Sequence, residues 1–260
     1  MQLQVQPLQL QDFDELISHA ASYPPGDDLV GPPTPLCCPV NTSAEASARS
    51  TFHFAKQRTR FLGDPTVRYM KVVDIDSTDK NSIISIARWH FYPNGYDFEK
   101  EVHWETHNPP PPDLEQSQSQ SIPIPIPIPI PIPENFDIPL HNHILSTRDA
   151  ARKSWIQPDS SPCWILMHMV THPAHRGKGA AGMLIRWGIE QAENDRVPAY
   201  LEAGVMGRPI YERYGFVQVG GLLEVDLRGV GGEGVFVMCK MAYFPRRGGG
   251  EGKEVIGVEE

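Results

Sequence analysis

The sequence predicts a single α/β domain, and three observations carry that prediction. An apolar strand, a basic glycine-rich turn and an amphipathic helix follow one another from Trp164 to Glu193. Two earlier segments, Val67–Val73 and Ser82–Tyr92, are rich in β-branched and aromatic residues and are bounded by turn signals at Asp76–Asn81 and Pro93-Asn94-Gly95. A chain of 260 residues with 40% apolar content can bury one good core, or one domain with decoration.

In chain order, Leu3–Val5 reads as a short strand. Leu10, Phe13, Leu16, Ile17 and Ala20 then follow helical spacing after Gln11-Asp12. Residues 23–41 are rich in Pro, Gly and Asp and read as loop. Ala44–Leu62 is a helix stopped by Gly63-Asp64-Pro65, and the two strands above come next. Residues 106–135 break the pattern with a proline run at Pro109–Pro112, a polar stretch at Gln116–Ser121 and six Ile-Pro pairs at Ile122–Pro133. Proline removes backbone donors and fixes φ, so the repeat is no sheet interior and favours polyproline II. One reading makes it a ligand for a proline-recognition partner; the preferred one is a tolerated insertion in an exposed loop. Residues 144–155 resume a helical pattern, and the Gly/Glu-rich residues 246–260 read as a flexible tail.

The segment 164–193 is the most telling. Ala181, Leu184, Ile185, Gly188, Ile189 and Ala192 share one helical face, with Arg186, Glu190, Gln191 and Glu193 opposite. The turn before it is His175-Arg176-Gly177-Lys178-Gly179-Ala180-Ala181. A helix that opens on Gly and Ala leaves its first N–H groups bare, and the positive end of its dipole favours anions. With His175, Arg176 and Lys178 beside them, these donors suit a nucleotide-like ligand carrying a pyrophosphate. The Walker pattern is absent, since no G-K-[ST] occurs. Gly177, Gly179 and Gly182 do spell G-x-G-x-x-G, with Glu202 twenty residues on where a ribose-binding acid would sit. Context argues against a dinucleotide fold: six residues separate the strand from the first glycine, and too little chain follows for the remaining strands.

Arg176-Gly177-Lys178-Gly179-Ala180-Ala181 also satisfies [Q/R]-x-x-G-x-[G/A], which resembles the pyrophosphate loop of the GNAT superfamily of acyl-CoA N-acyltransferases. Residues 198–216 resemble the same family's next strand, loop and helix, ending in Tyr211-Glu212-Arg213-Tyr214-Gly215-Phe216. The resemblance is clearest over 161–241 and implies an acetyltransferase domain spanning about 1–245. The implied fold has a mixed central sheet splayed between its fourth and fifth strands, with helices on both faces.

The resemblance further implies transfer of an acetyl group from acetyl-CoA to an amine by direct attack, with no metal. Trp164–Thr171 would be the splayed strand, the backbones of Met169 and Val170 lying nearest the cofactor and Ala199–Ala203 forming the neighbour. Residues 175–181 and Arg208 would join the cofactor contacts. Tyr211 would be the general acid that protonates the departing thiolate. Tyr214 would pack, while Pro209 suits the helix start and Gly215 its C-terminal cap. His168 is the first choice for general base. Glu202 is the second, unless it orients the acceptor or pairs with Arg208. His141, His143 and His172 read as loop residues without ligand spacing.

Composition bounds the alternatives. The net charge of −9 argues against a general nucleic-acid binder and is mildly compatible with a cationic amine substrate. No apolar run reaches the ~18 residues of a membrane helix, and Met1–Pro7 lacks a secretory signal's basic start and apolar block. Cys37, Cys38, Cys163 and Cys239 have neither metal nor disulfide spacing and fit a cytoplasmic or nuclear setting. A non-catalytic acyl-CoA-binding module stays open, as does, less favoured, a dinucleotide-dependent oxidoreductase. The acceptor amine and the oligomeric state are not legible.

Overall fold

The computed structural model describes residues 1–77, 83–98, 130–156 and 161–246. Most of the low-complexity stretch and the C-terminal tail lie outside them. The chain opens with β1 (Leu3–Pro7), α1 (Asp12–His19), α2 (Thr34–Cys37) and α3 (Ser43–Gly63). There follow β2 (Val67–Asp74), β3 (Ile83–Tyr92), α4 (Ile138–Arg152) and β4 (Cys163–Thr171). The last part is α5 (Ala180–Asp195), β5 (Ala199–Gly204), α6 (Arg208–Arg213), β6 (Val217–Gln218), β7 (Leu223–Asp226) and β8 (Val235–Tyr243). The strands form one sheet in the order β1-β2-β3-β4-β5-β8-β6, with β7 also paired to β8. Neighbours are antiparallel except β4 and β5, which run parallel. No described helix is long and apolar enough to cross a membrane.

Local chemistry sets the helix ends. Thr42 and Glu45 close a capping box at the start of α3, each side chain accepting from the other's backbone N–H. Asp137 accepts from the Leu140 N–H at 2.9 Å, and Pro139 occupies the first turn of α4, where its missing N–H costs nothing. That helix therefore begins six residues before the expected 144, and His141 and His143 stand on it rather than in a loop. The loop expected over 23–41 contains the single-turn α2.

Helices cover both faces of the sheet. On one, Leu184, Ile185 and Ala192 of α5 pack on Met70, Val72, Ala87 and Trp89. On the other, Phe13 and Leu16 of α1 and Phe54 of α3 pack on Val67, Tyr69 and Ile86. Full burial of each such side chain is worth about 1.5–3 kcal/mol. The buried stripe of α5 is Ala180, Leu184, Ile185, Gly188 and Ala192; Ala181 and Ile189 are only half-buried, so the face is rotated slightly from the one expected.

Gly188 sits in the middle of that stripe because Trp89 crosses it. A Cβ there would lie 2.1 Å from the Trp89 indole, which is fully buried and has nowhere to retreat. Gly188→Ala should therefore lower stability, although alanine favours helix by about 1 kcal/mol over glycine. Overpacking of this kind costs about 1–3 kcal/mol. A urea midpoint equal to or above that of the parent protein would show that the indole can move aside.

Candidate active site

The site begins where β4 and β5 part. Their ladder consists of Trp164–Ala199, Ile165–Tyr200 and Leu166–Leu201, after which neither strand pairs with the other. On its opposite edge β4 stays paired with β3 as far as Thr171. That ladder passes from Trp89–Leu166 to Arg88–His168, so Met167 is an extra residue bulged out of the register. A cavity of about 290 Å³ lies along the gap, lined by Met167, His168 and Met169 of β4, by Glu202, Ala203 and Gly204 of β5, and by Tyr211.

Arg152 occupies the root of the gap. Its Nε and Nη2 donate to the two oxygens of Glu202 at 2.6 and 2.8 Å, Nη1 donates to the Tyr96 hydroxyl at 2.9 Å, and Nη2 lies 3.2 Å from the Met167 sulfur. Glu202 and Met167 are the first residues beyond the ladder on their respective strands. Burial alone would push the Glu202 carboxyl up, but the charge and hydrogen bonds of Arg152 outweigh it and hold the group below the usual carboxylate range. The partner of Glu202 is thus Arg152 and not Arg208, which is exposed on α6 and bonded to Glu212 at 2.6 Å. The sequence holds one signal for Arg152: it falls eight residues after Ile144 on the buried stripe of α4, a cation where an apolar residue is due.

Beyond the gap, β4 leads through a short 3₁₀ turn (Pro173–His175) into the glycine turn. His172 begins it, its Nδ1 accepting from the Ala174 N–H at 3.2 Å. Gly177 and Gly179 have φ of +77° and +89°, and a Cβ at either would meet nothing within 4 Å. Both conformations favour glycine, and both leave open space in front of the backbone. Gly179 caps α5 without any side-chain bond, so the first-turn N–H groups of the helix remain available. Arg176 and Lys178 are exposed beside them. His175 is held below the ordinary imidazole range, by burial first and Lys178 second, so Arg176 and Lys178 supply the positive charge here. Gly182 answers a different need: a Cβ there would lie 2.0 Å from the Tyr214 hydroxyl, which accepts from Arg186 at 3.1 Å.

Tyr211 projects from α6 and is 9% exposed, with its ring edge-on to Phe216 at 5.9 Å. Burial pushes its phenol above the usual tyrosine range, so it keeps its proton at any physiological pH. Pro209 stands in the first turn of α6, and Gly215 follows the helix with φ of +88°. His168 lines the cavity together with Pro32 and Pro33. Its Nε2 accepts from the Gly31 N–H at 3.1 Å, and a Cβ on Gly31 would lie 2.5 Å from that nitrogen. Burial lowers its pKa to about 3, with Arg88 contributing. Gly31 escapes sequence reasoning because the contact spans 137 residues of chain.

A second, smaller cavity of about 60 Å³ is also lined by Met167 and His168. It shares Pro32, Pro33, Arg148, Met167 and His168 with the first and extends between α3 and α4. Among the described residues no group of three His, Cys, Asp or Glu is placed to hold a metal ion.

Residues 150–216, about a quarter of the chain, match the family model described as Acetyltransferase (GNAT) family. Among solved structures the chain is similar to arylalkylamine N-acetyltransferase 2 from Aedes aegypti, at 12% identity over 95% of this chain and 100% of that one, with a TM-score of 0.53. It is also similar to NAA60 from Arabidopsis thaliana in complex with acetyl-CoA, at 14% identity over 94% of this chain and 98% of that one, with a TM-score of 0.48. The fold comparison rests on the mosquito protein.

Breaking a buried ion pair from one side leaves an uncompensated charge, at a cost of about 3–5 kcal/mol. Arg152→Leu should therefore strongly destabilise the domain. Adding Glu202→Leu should restore most of the loss, because an apolar pair of similar size is often neutral or better in such a place. Denaturant unfolding of the two single variants and the double variant checks this. Equal destabilisation in the Arg152→Leu protein and the double variant would mean that the packing of the arginine, rather than its charge, matters.

Proposed function

We propose that this chain, whose residues 150–216 match the GNAT acetyltransferase family, transfers an acetyl group from acetyl-CoA to a primary amine by direct attack in a ternary complex. The observation that carries this reading is one continuous path. An open strand edge leads into a glycine turn at an uncapped helix N-terminus, and a protonated tyrosine lines the same cleft. The residues fit such a donor. The N–H groups of Gly177–Ala181 would hold its pyrophosphate, with Arg176 and Lys178 adding charge and His175 behind them. The backbones of Met169 and Val170 would hold its pantetheine arm.

The roles of the other side chains follow from their bonds. Both oxygens of Glu202 are engaged by Arg152, and the Nε2 lone pair of His168 by Gly31. We therefore assign both to positioning, with the amine entering the cleft uncharged. As the new N–C bond forms and the C–S bond breaks, Tyr211 donates its proton to the thiolate sulfur. The surplus proton of the acylated nitrogen leaves to water, and Tyr211 regains its own from solvent. A preorganised N–H near the carbonyl oxygen would be worth about 3–4 kcal/mol to the oxyanion.

Acetyl-CoA and CoA should raise the melting temperature, by the equivalent of about 2.7 kcal/mol at a hundredfold excess over Kd, while NAD and NADP should not. Gly179→Val should abolish that shift with the fold retained, since valine is strained at positive φ and its side chain would occupy the approach to the helix. Stabilisation by NAD alone would defeat the reading.

Free-thiol release with an amine panel tests the chemistry. Tyr211→Phe should still bind acetyl-CoA but lose about 10²–10⁴-fold in kcat, as expected for a missing general acid. The loss should shrink with thioesters of more acidic thiols, whose thiolates leave unaided. Full activity of the phenylalanine variant on acetyl-CoA would remove Tyr211 from the mechanism. Tight CoA binding with no turnover by the parent protein would favour an acyl-CoA-binding module.

A further inference from the structure

The walls of the larger cavity fall into two groups. Met167, His168 and Met169 of β4, with Tyr211, lie along the path assigned above to the acyl donor. The second group lies off that path: Pro32 and Pro33 between α1 and α2, Ile144 of α4, Met206 between β5 and α6, and Phe236 and Met238 of β8. All of these are apolar. Ile144 and Met238 belong to one apolar cluster with Leu140, Leu223 and Val225, and Phe236 is half-buried against it. Met206 is 91% exposed, an apolar side chain left uncovered where it borders the cavity. The charged groups, by contrast, are engaged. Glu202 is the single Asp or Glu among the described residues lining the cavity, and both its oxygens accept from Arg152. Arg148 donates to Asp149 at 3.1 Å. The Nε2 lone pair of His168 is taken by the Gly31 N–H, and burial keeps that imidazole neutral.

We propose that the acceptor is a small monoamine whose remaining part is a hydrocarbon, received by Pro32–Pro33, Ile144, Met206, Phe236 and Met238. The inference rests on the acetyl-transfer reading for the identity of the reacting group. A second ammonium or a carboxylate on the acceptor would pass from water into a place without a free counter-charge, which is costly. A hydrocarbon gains by leaving water, at about fourfold in affinity for each methylene buried. The acidity of the chain as a whole, a net charge of −9, does not reach this point, because the one carboxylate of the cavity is held by Arg152. The same walls disfavour the ammonium form of the reacting amine and so promote the free base that attack requires. Four of the chain's eight methionines line the cavity. Unbranched thioethers adapt to the shape they meet, so straight and cyclic hydrocarbons are accepted alike. The volume of about 290 Å³ bounds their size.

The test uses matched acceptors with the full-length protein. Hexylamine, hexamethylenediamine and aminocaproate share one carbon chain and differ in what ends it: a methyl, an ammonium or a carboxylate. Turnover with acetyl-CoA and calorimetric binding in the presence of CoA are measured for each. Hexylamine should exceed the other two by about tenfold or more in kcat/KM or in affinity, the scale of burying one unpaired charge in a partly solvated site. Across propylamine to octylamine the same quantity should climb by up to about fourfold per methylene and level off once the cavity is full. Phe236→Ala should flatten that climb while the melting shift caused by CoA stays as it was. Met206→Asp changes an exposed position, where the fold is not at stake, and should reduce the ratio of hexylamine to diamine about two- to fivefold, as a surface ion pair would. A short peptide with an apolar first residue should fall below hexylamine, and the reverse order would overturn the small-molecule assignment. A flat series, or equal or better use of the diamine or aminocaproate, would overturn the apolar pocket. Binding that climbs with chain length but gives no turnover would uphold the pocket and defeat the acetyl-transfer reading instead.

Discussion

The divergence of two parallel strands is the constraint on which the site depends. Parallel strands in a sheet normally stay paired, because each unpaired N–H and C=O inside a protein must find another partner or water. Here β4 and β5 abandon their ladder after three residue pairs, and the backbone released by that break is what a ligand can use. Two features mark the break. The Met167 bulge bends β4 at that point, and the Arg152–Glu202 pair stands between the separated chains. Neither is an economical way to stabilise a core, since buried ion pairs seldom improve on apolar packing. Both make sense as geometry, because they set where the strands part and what lies between them.

The same gap explains the division of labour among the loops. The chain leaves β4 for the glycine turn and leaves β5 for α6, so Tyr211 and the N-terminus of α5 come from the two strands that separate. Residues of the first loop close the remaining side, with Gly31 held against His168 and Pro32–Pro33 shared between the two cavities. Parts of the chain far apart in sequence thus converge on one short stretch of β4.

What could be read from the sequence was local. The glycine turn, the helix after it and the tyrosine of α6 are each written in a few consecutive residues, and the structure shows them as helix start, apolar stripe and cleft wall. The boundaries of α3 lie within a residue of those expected, because its stop signals sit in the chain beside it. The start of α4 was hidden for a local reason. Pro139 follows a proline-rich stretch and reads as more of the same, although a proline one residue into a helix is a start signal when an aspartate precedes it. The partnership of Arg152 with Glu202, the bulge at Met167 and the contact of Gly31 with His168 have no local signature. Each depends on residues brought together by the sheet, across 50 positions for the ion pair and 137 for the histidine.

One small feature bears on how this chain tolerates its oddest stretch. The last Ile-Pro pairs are not loose against the domain: Ile130 and Ile132 pack with Cys38, Phe52 and Phe136. Asn135 then donates to the Pro39 carbonyl at 2.6 Å, and the Asp137 N–H bonds to the Cys37 carbonyl at 2.7 Å. By the time the chain enters α4 it has been fastened three times to the same short segment. Such fastening works as a strain relief does on a cable. A change in the number of dipeptides before Ile130 would therefore meet these contacts before it reached the helix that carries Arg148 and Arg152.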